Sequence, residues 1–141
     1  MLLSDLLTIV IPVKNEEKNL PACLENVEDF RHVVLVDSGS TDKTHEIFEG
    51  FRDRGSGIRN RWEIVDFKWN GKFPKKRNWV LRNYKFKTPW VLFLDADERV
   101  TEAWKKEAEE VLSAPRGGGA SGTVGEWHKL MLIGIYTGLR L

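Results

Sequence analysis

The chain has one cysteine, Cys23, in 141 residues, so no intrachain disulfide can form and packing must hold the fold. Cys23 shares helical spacing with Leu20, Leu24 and Val27, which reads as a buried packing thiol rather than a reactive one. Long apolar runs are also missing, and none approaches the roughly 20 residues of a membrane-spanning helix. The N-terminal stretch from Met1 to Leu7 has no basic flank, is broken by Asp5 and has no small-residue cleavage site after it. It therefore does not read as a signal peptide, and the sequence points to the cytoplasm. Net charge is nearly absent: 22 Lys and Arg against 21 Asp and Glu leave +1, which gives no global field for nucleic acid or a membrane surface. Acidic residues are missing locally as well. None occurs between Asp66 and Asp95, where Lys68, Lys72, Lys75, Lys76, Arg77, Arg82, Lys85 and Lys87 all fall.

What is present reads as one globular domain, with 41% hydrophobic and 30% charged residues. Leu7 to Val13, His32 to Val36 and Trp90 to Leu94 are nearly continuous apolar runs, and Arg61 to Phe67 is a weaker one. Continuous runs of this length suit strands covered on both faces, as in parallel α/β sheets. Helical segments separate them. One carries Leu20, Cys23, Leu24 and Val27, with Asn19 as its expected cap and Pro21 in the first turn. A second carries Ile47, Phe48 and Phe51, capped by Ser40, Thr41 or Asp42. A third opens at Pro74 and runs to about Asn83. Thr101 caps a fourth, with an apolar stripe of Trp104, Ala108, Val111 and Leu112. The alternation predicts a three-layer, Rossmann-like α/β fold over residues 1–114. From Pro115 the composition changes to a glycine-rich linker and a short apolar tail, Leu130 to Tyr136, so residues 115–141 are set apart.

The chemical candidates all follow strands. Lys14-Asn15-Glu16-Glu17 follows the first, Asp37-Ser38-Gly39-Ser40-Thr41-Asp42 the second and Asp95-Ala96-Asp97-Glu98 the last. In a parallel sheet such loops share one edge, where ligands bind. Asp37 is suited to accept hydrogen bonds from a base or sugar, and Gly39 to permit a tight turn close to a ligand. Helix capping explains one of Ser40, Thr41 and Asp42 but not the earlier Asp37. An Asp-x-Asp triplet in a loop is commonly a cap with a solvated neighbour. Placed after a buried strand, with Asp-Ser-Gly-Ser similarly placed upstream, it reads as a hard-cation site at Asp97 and Asp95 completed by substrate phosphates. The basic segment Gly71 to Asn78 has three readings: a solvated helix face, a phosphate or base contact by Arg77, and a single-stranded nucleic-acid platform using Trp69, Phe73, Trp79, Tyr84, Phe86 and Trp90. Core packing is the simpler role for several of those aromatics. His32, His45 and His128 are scattered and suggest no metal cluster.

Taken in series, Ile9 to Glu17, Val36 to Thr44 and Leu92 to Val100 resemble family 2 glycosyltransferases, nearest the branch acting on lipopolysaccharide core and other surface glycans. The resemblance spans about residues 7 to 114. It implies a GT-A fold, a nucleotide-diphosphate sugar donor (UDP-linked by family expectation), Mn2+ or Mg2+, and inverting transfer to a glycan or lipid-linked acceptor. The loop Pro12, Val13, Asn15 and Glu16 would line the base. Asp37, with Ser38 and Gly39, would hold base or ribose. Arg77 would reach base or phosphates, Asp95 and Ala96 the ribose, and Asp97 the metal. Family members carry a longer second half with the acceptor site and general base. Here Glu126 is the only acid beyond Glu110, and an exposed tail carboxylate is its simpler reading. The sequence therefore leads us to expect donor binding with little or no transfer by this chain alone. It also leads us to expect self-association or a partner chain, peripheral contact with the inner face of the membrane, and no nucleic acid. The alternatives left open are a non-catalytic nucleotide-sugar-binding fragment and a single-strand nucleic-acid module.

Overall fold

The computed structural model describes residues 2–54, 61–68 and 76–113. Among them β1 (Leu7–Val13), β2 (His32–Asp37), β3 (Arg61–Asp66) and β4 (Trp90–Phe93) form a sheet of order β3-β2-β1-β4 in which every pair is parallel. Parallel neighbours need crossovers. These contain α2 (Leu20–Asn26), α3 (Thr44–Arg54) and α4 (Lys76–Asn83), while α1 (Leu3–Leu6) precedes β1 and α5 (Glu102–Ser113) follows β4.

Alternation along the strands sorts the apolar residues into two layers. Ile9, Ile11, Val13, Val33 and Leu35 point to one face and pack with Leu20, Cys23 and Leu24 of α2, Phe48 of α3 and Trp104 and Ala108 of α5. Val10, Val34 and Val36 point to the other and pack with Val80 of α4, Phe67 and Phe93. Both faces are covered, which is why β1 and β2 read as unbroken apolar runs. Ile9, Ile11, Leu20, Leu24 and Leu35 are wholly buried, each contributing about 1.5–3 kcal/mol of hydrophobic stabilisation. Phe48 and Trp62 stack at 5.5 Å, and the buried Trp62 Nε1 donates to the Phe30 carbonyl at 3.0 Å, so the large ring enters the core without an orphaned donor.

Pro12 lies inside β1, an inner strand, where proline would ordinarily remove a ladder bond. Successive residues face opposite neighbours. Val13 offers its carbonyl to Ser38 beyond β2, so the missing Pro12 N–H faces the β4 side. There the pairing register ends at Val10 with Phe93, and the proline costs the sheet nothing.

The four strands lie where the sequence places them, and the fold is α/β as expected. Some local assignments change. Asn19 makes no capping bond; Asn19 N and Leu20 N already donate to the Glu16 carbonyl, so the turn begins earlier. Of the three candidates before α3, Asp42 does the capping, accepting from Thr44 N at 3.0 Å. Thr101 caps α5 as expected, accepting from Trp104 N at 3.0 Å. Val111 leaves the expected stripe and is 49% exposed. The N-terminal apolar stretch forms α1, whose Leu3 and Leu6 are buried. Pro74, Trp69, Phe73, the Gly-rich linker, the apolar tail and Glu126 lie outside the described residues.

Candidate functional site

The carboxyl ends of β1, β2 and β4 carry Lys14 to Glu17, Asp37 to Asp42 and Asp95 to Glu98 to one edge of the sheet. Asp37 and Asp95 lie at the ends of strands that are not neighbours. β1 runs between β2 and β4, so its end forms the floor between the two acids.

The first two loops are clasped together. Asn15, at φ 54°, is the only described non-glycine residue in the left-handed region. That turn aims its Oδ1 at Thr41 N, 2.7 Å away, while Asn15 N donates to Ser40 Oγ at 2.8 Å. Glu16 N donates to Thr44 Oγ1 at 3.0 Å, and Lys43 N to Glu17 Oε2 at 3.2 Å. The Asn15 amide oxygen is therefore engaged in loop architecture, and Glu16 presents its backbone rather than its side chain to the neighbouring loop. Gly39 has φ 85° with nothing near an added Cβ, so glycine is needed there for backbone conformation and not for space.

Asp37 closes β2 with a nearly covered side chain. Its oxygens accept from Ser40 N at 3.0 and 3.2 Å, from the Ser40 hydroxyl and from His45 Nε2 at 2.8 Å. Burial raises the carboxyl pKa, but these hydrogen bonds outweigh it and leave the group below its ordinary value. The residue is thus held as a carboxylate. His45, set aside as scattered in the sequence, reaches both Asp37 and Asp66.

Across the β1 end, Asp95, Asp97 and Glu98 bring carboxylate oxygens within 4.8 Å of one another. Arg99 donates to the carbonyls of Ala96 and Glu98 at 2.7 and 2.6 Å, and the Asn26 amide makes a reciprocal pair with Val100 at 2.9 and 2.8 Å. This backbone is fixed from beneath, with Ala96 buried and Asp97 exposed. Burial pushes the Glu98 carboxyl up to about 7, and hydrogen bonding to the Asp95 carboxylate and repulsion from Asp95 and Asp97 add to this against the opposing Asp95 N–H. Crowded carboxylates of this kind are hard oxygen donors short of positive charge, which suits Mn2+ or Mg2+ chemistry.

Two cations from α4 face the gap. Lys76 Nζ donates to the Val13 carbonyl at 2.7 Å. Burial lowers its pKa, an effect that Asp37 and Asp95 oppose. Arg77 pairs with Asp95 at 3.2 Å and lies 5.3 Å from the Phe93 ring centre. Trp79, Tyr84 and Phe86 are partly buried and pack against the second core layer.

The family model described as Glycosyl transferase family 2 matches residues 8–127. The chain belongs to this family. As a glycosyltransferase family 2 domain it is 35% identical over 100 residues to the lipopolysaccharide core biosynthesis glycosyltransferase LpsC of Rhizobium meliloti (strain 1021), a match covering 71% of this chain and 34% of LpsC. The chain thus spans about a third of that relative's length. Staphylococcus aureus TarS, residues 1-349, superposes with a TM-score of 0.57 and 28% identity over 73% of this chain and 31% of that one. The mannosyltransferase PcManGT from Pyrobaculum calidifontis, solved with GDP-Man and Mn2+, superposes with a TM-score of 0.56 at 22% identity, covering 88% of this chain and 37% of that one. The fold is that of the GT-A glycosyltransferases. The family match continues past residue 114, where the sequence reading ends the domain.

Of the residues singled out in the sequence, Pro12, Val13, Asn15, Glu16, Asp37, Ser38, Gly39, Arg77, Asp95, Ala96 and Asp97 all lie at this edge or in its loops. Lys76, His45, Glu98, Asn26 and Arg99 were not assigned a role there. Glu98 and Arg99 follow the Asp-x-Asp in the same loop, and Lys76 lies beside Arg77 in the basic segment, whereas His45 and Asn26 are brought in by distant parts of the chain.

Proposed function

We propose that the domain binds a nucleotide-diphosphate sugar, UDP-linked, together with Mn2+ or Mg2+, for inverting transfer to a surface-glycan or lipid-linked acceptor. The observation that carries this reading is the convergence of a held carboxylate at Asp37, an acidic cluster at Asp95, Asp97 and Glu98, and the cations Lys76 and Arg77 on one edge of a parallel sheet. Asp37 takes the base or ribose. The backbone of Pro12, Val13, Asn15 and Glu16 and the turn at Ser38 and Gly39 line the nucleoside. Asp95 and Ala96 meet the ribose, and Asp97, with Asp95, holds the cation. When bound, the cation neutralises the diphosphate as it leaves.

The pairing of Arg77 with Asp95 is exposed to solvent. Both side chains are about half exposed, and an exposed pair contributes about 0–1 kcal/mol. Exchanging Asp95 for a diphosphate oxygen therefore costs little, and the guanidinium can follow the phosphates. Lys76 is different, being tied to the Val13 carbonyl, and supplies fixed positive charge to the floor of the site.

The solved relative containing GDP-Man and Mn2+ supports a nucleotide-diphosphate sugar held with a cation, the relative named for lipopolysaccharide core biosynthesis supports a surface-glycan acceptor, and UDP is the family expectation. The single, buried cysteine fits a reducing cytoplasm, and a lipid-linked acceptor places the work at the inner face of the membrane. No helix among the described residues is long and apolar enough to cross a membrane. Calorimetry with UDP, GDP, TDP and ADP, with and without Mn2+ or Mg2+, tests the reading. Metal-dependent binding of one nucleotide, lost in Asp97→Ala, supports it; equal affinity after chelation overturns the metal role.

A further inference from the structure

His45 has no part in the assignments above. It stands in the first turn of α3, with Nε2 2.8 Å from Asp37 Oδ2 and 4.0 Å from Asp66 Oδ1. Asp66 ends β3 in direct register with Asp37 at the end of β2. Two carboxylates thus close neighbouring strands at one level, the Asp37 side chain 3% exposed and the Asp66 side chain 74% exposed. Like charges so placed repel, and the imidazole reaches both. A carboxylate only accepts, so Nε2 carries a proton toward Asp37. The Ser40 N–H is shared between the two Asp37 oxygens and its hydroxyl reaches Oδ1, while His45 reaches Oδ2 from a different element. These are three donor hydrogens, one of them shared, against about four lone-pair directions, which leaves about one for a ligand.

We infer that His45 is a positioning residue for base recognition. It fixes the rotation of the Asp37 carboxylate so that the remaining acceptor direction meets an N–H of the nucleobase. This rests on the nucleotide reading above. The phosphate end of the ligand lies across β1 from this pair, near Arg77 and Asp97, so the contribution of His45 is confined to the base end. That confinement separates the role from a general effect on folding.

The test is calorimetric titration of the 141-residue chain with UDP and, separately, with pyrophosphate, both in Mn2+. His45→Ala is expected to bind UDP about tenfold more weakly, as for loss of one donor to a charged acceptor, with pyrophosphate affinity unchanged. His45→Gln retains an N–H donor and is expected to bind UDP within about threefold of the unaltered chain. It decides the matter alone if the alanine variant does not fold. His32→Gln, at the opposite end of β2, is the control and should match the unaltered chain. Undiminished UDP affinity in His45→Ala overturns the inference. So does an equal loss for UDP and pyrophosphate, or a glutamine variant as weak as alanine. Failure of the unaltered chain to bind UDP at all overturns the nucleotide reading and this inference with it, whereas binding that is indifferent to His45 overturns this inference alone.

Discussion

Replacing Asn15 by alanine removes a hydrogen bond and introduces backbone strain, and the two can be separated. Asn15 Oδ1 accepts from Thr41 N at 2.7 Å, and the backbone sits at φ 54°. Loss of one such bond costs about 1 kcal/mol. Alanine in the left-handed region costs about 1 kcal/mol more, because its Cβ crowds the following carbonyl. Asn15→Ala should therefore lose about 2 kcal/mol, combining the two effects. Asn15→Gly keeps the backbone relaxed and should lose about 1 kcal/mol, the hydrogen bond alone. Urea denaturation resolves this difference, and in a thermal melt each kcal/mol corresponds to about 4–8 °C for a small domain. Equal stability of the two variants would refute the strain, and a glycine variant as stable as the unaltered chain would refute the clasp. The clasp also ties the base-lining loop to the loop of Asp37, so both variants should weaken UDP binding beyond their effect on folding.

Glu98 is raised to about 7, so the folded state binds a proton more readily than the unfolded chain. In chelator, the contribution of Glu98 to stability should be fully present below the ordinary carboxyl pKa and be lost as pH rises through about 7, and Glu98→Gln should remove that part of the pH dependence in denaturation measured across the range. Burial pushes the Cys23 thiol up to about 11; the native chain should resist a thiol reagent at pH 8 and react fully once unfolded in urea. Phe48→Ala removes a wholly buried ring stacked on Trp62 and should cost about 3–5 kcal/mol in urea denaturation.

The strands were legible because both faces of the sheet are covered, so Leu7 to Val13 and His32 to Val36 had to be apolar nearly throughout. The Asp-x-Asp loop was legible because two acids after such a run have few local uses. What escaped depends on partners far along the chain. His45 matters because α3 returns it to the end of β2, and Lys76 because α4 crosses back to the Val13 carbonyl. His45 has no local pattern, and nothing local distinguishes Lys76 from the other cations of its basic run. Asn19 resembles a cap, but Glu16, three residues earlier, already accepts the first bonds of the turn. The short α1 lacks a side-chain cap and depends on burial of Leu3 and Leu6, including contact with α5 from the other end of the described chain. Val111 fits the helical spacing, yet α5 meets the core along Trp104 and Ala108 and turns Val111 outward.

The pairing of β4 with β1 joins Leu7 to Trp90, far apart along the described chain. Such a pairing closes a long loop before it gains anything, so it should form late in folding. β4 is also short and flanks the described sheet. Its amides should exchange with deuterium sooner than those of β1 and β2, because the opening that frees it need not disturb the remainder of the sheet. The loop that follows β4 carries Asp95 and Asp97, so each such opening would carry the acids away from Asp37. A nucleotide spanning both acids would then act as a tether, and slower exchange along β4 would report its arrival.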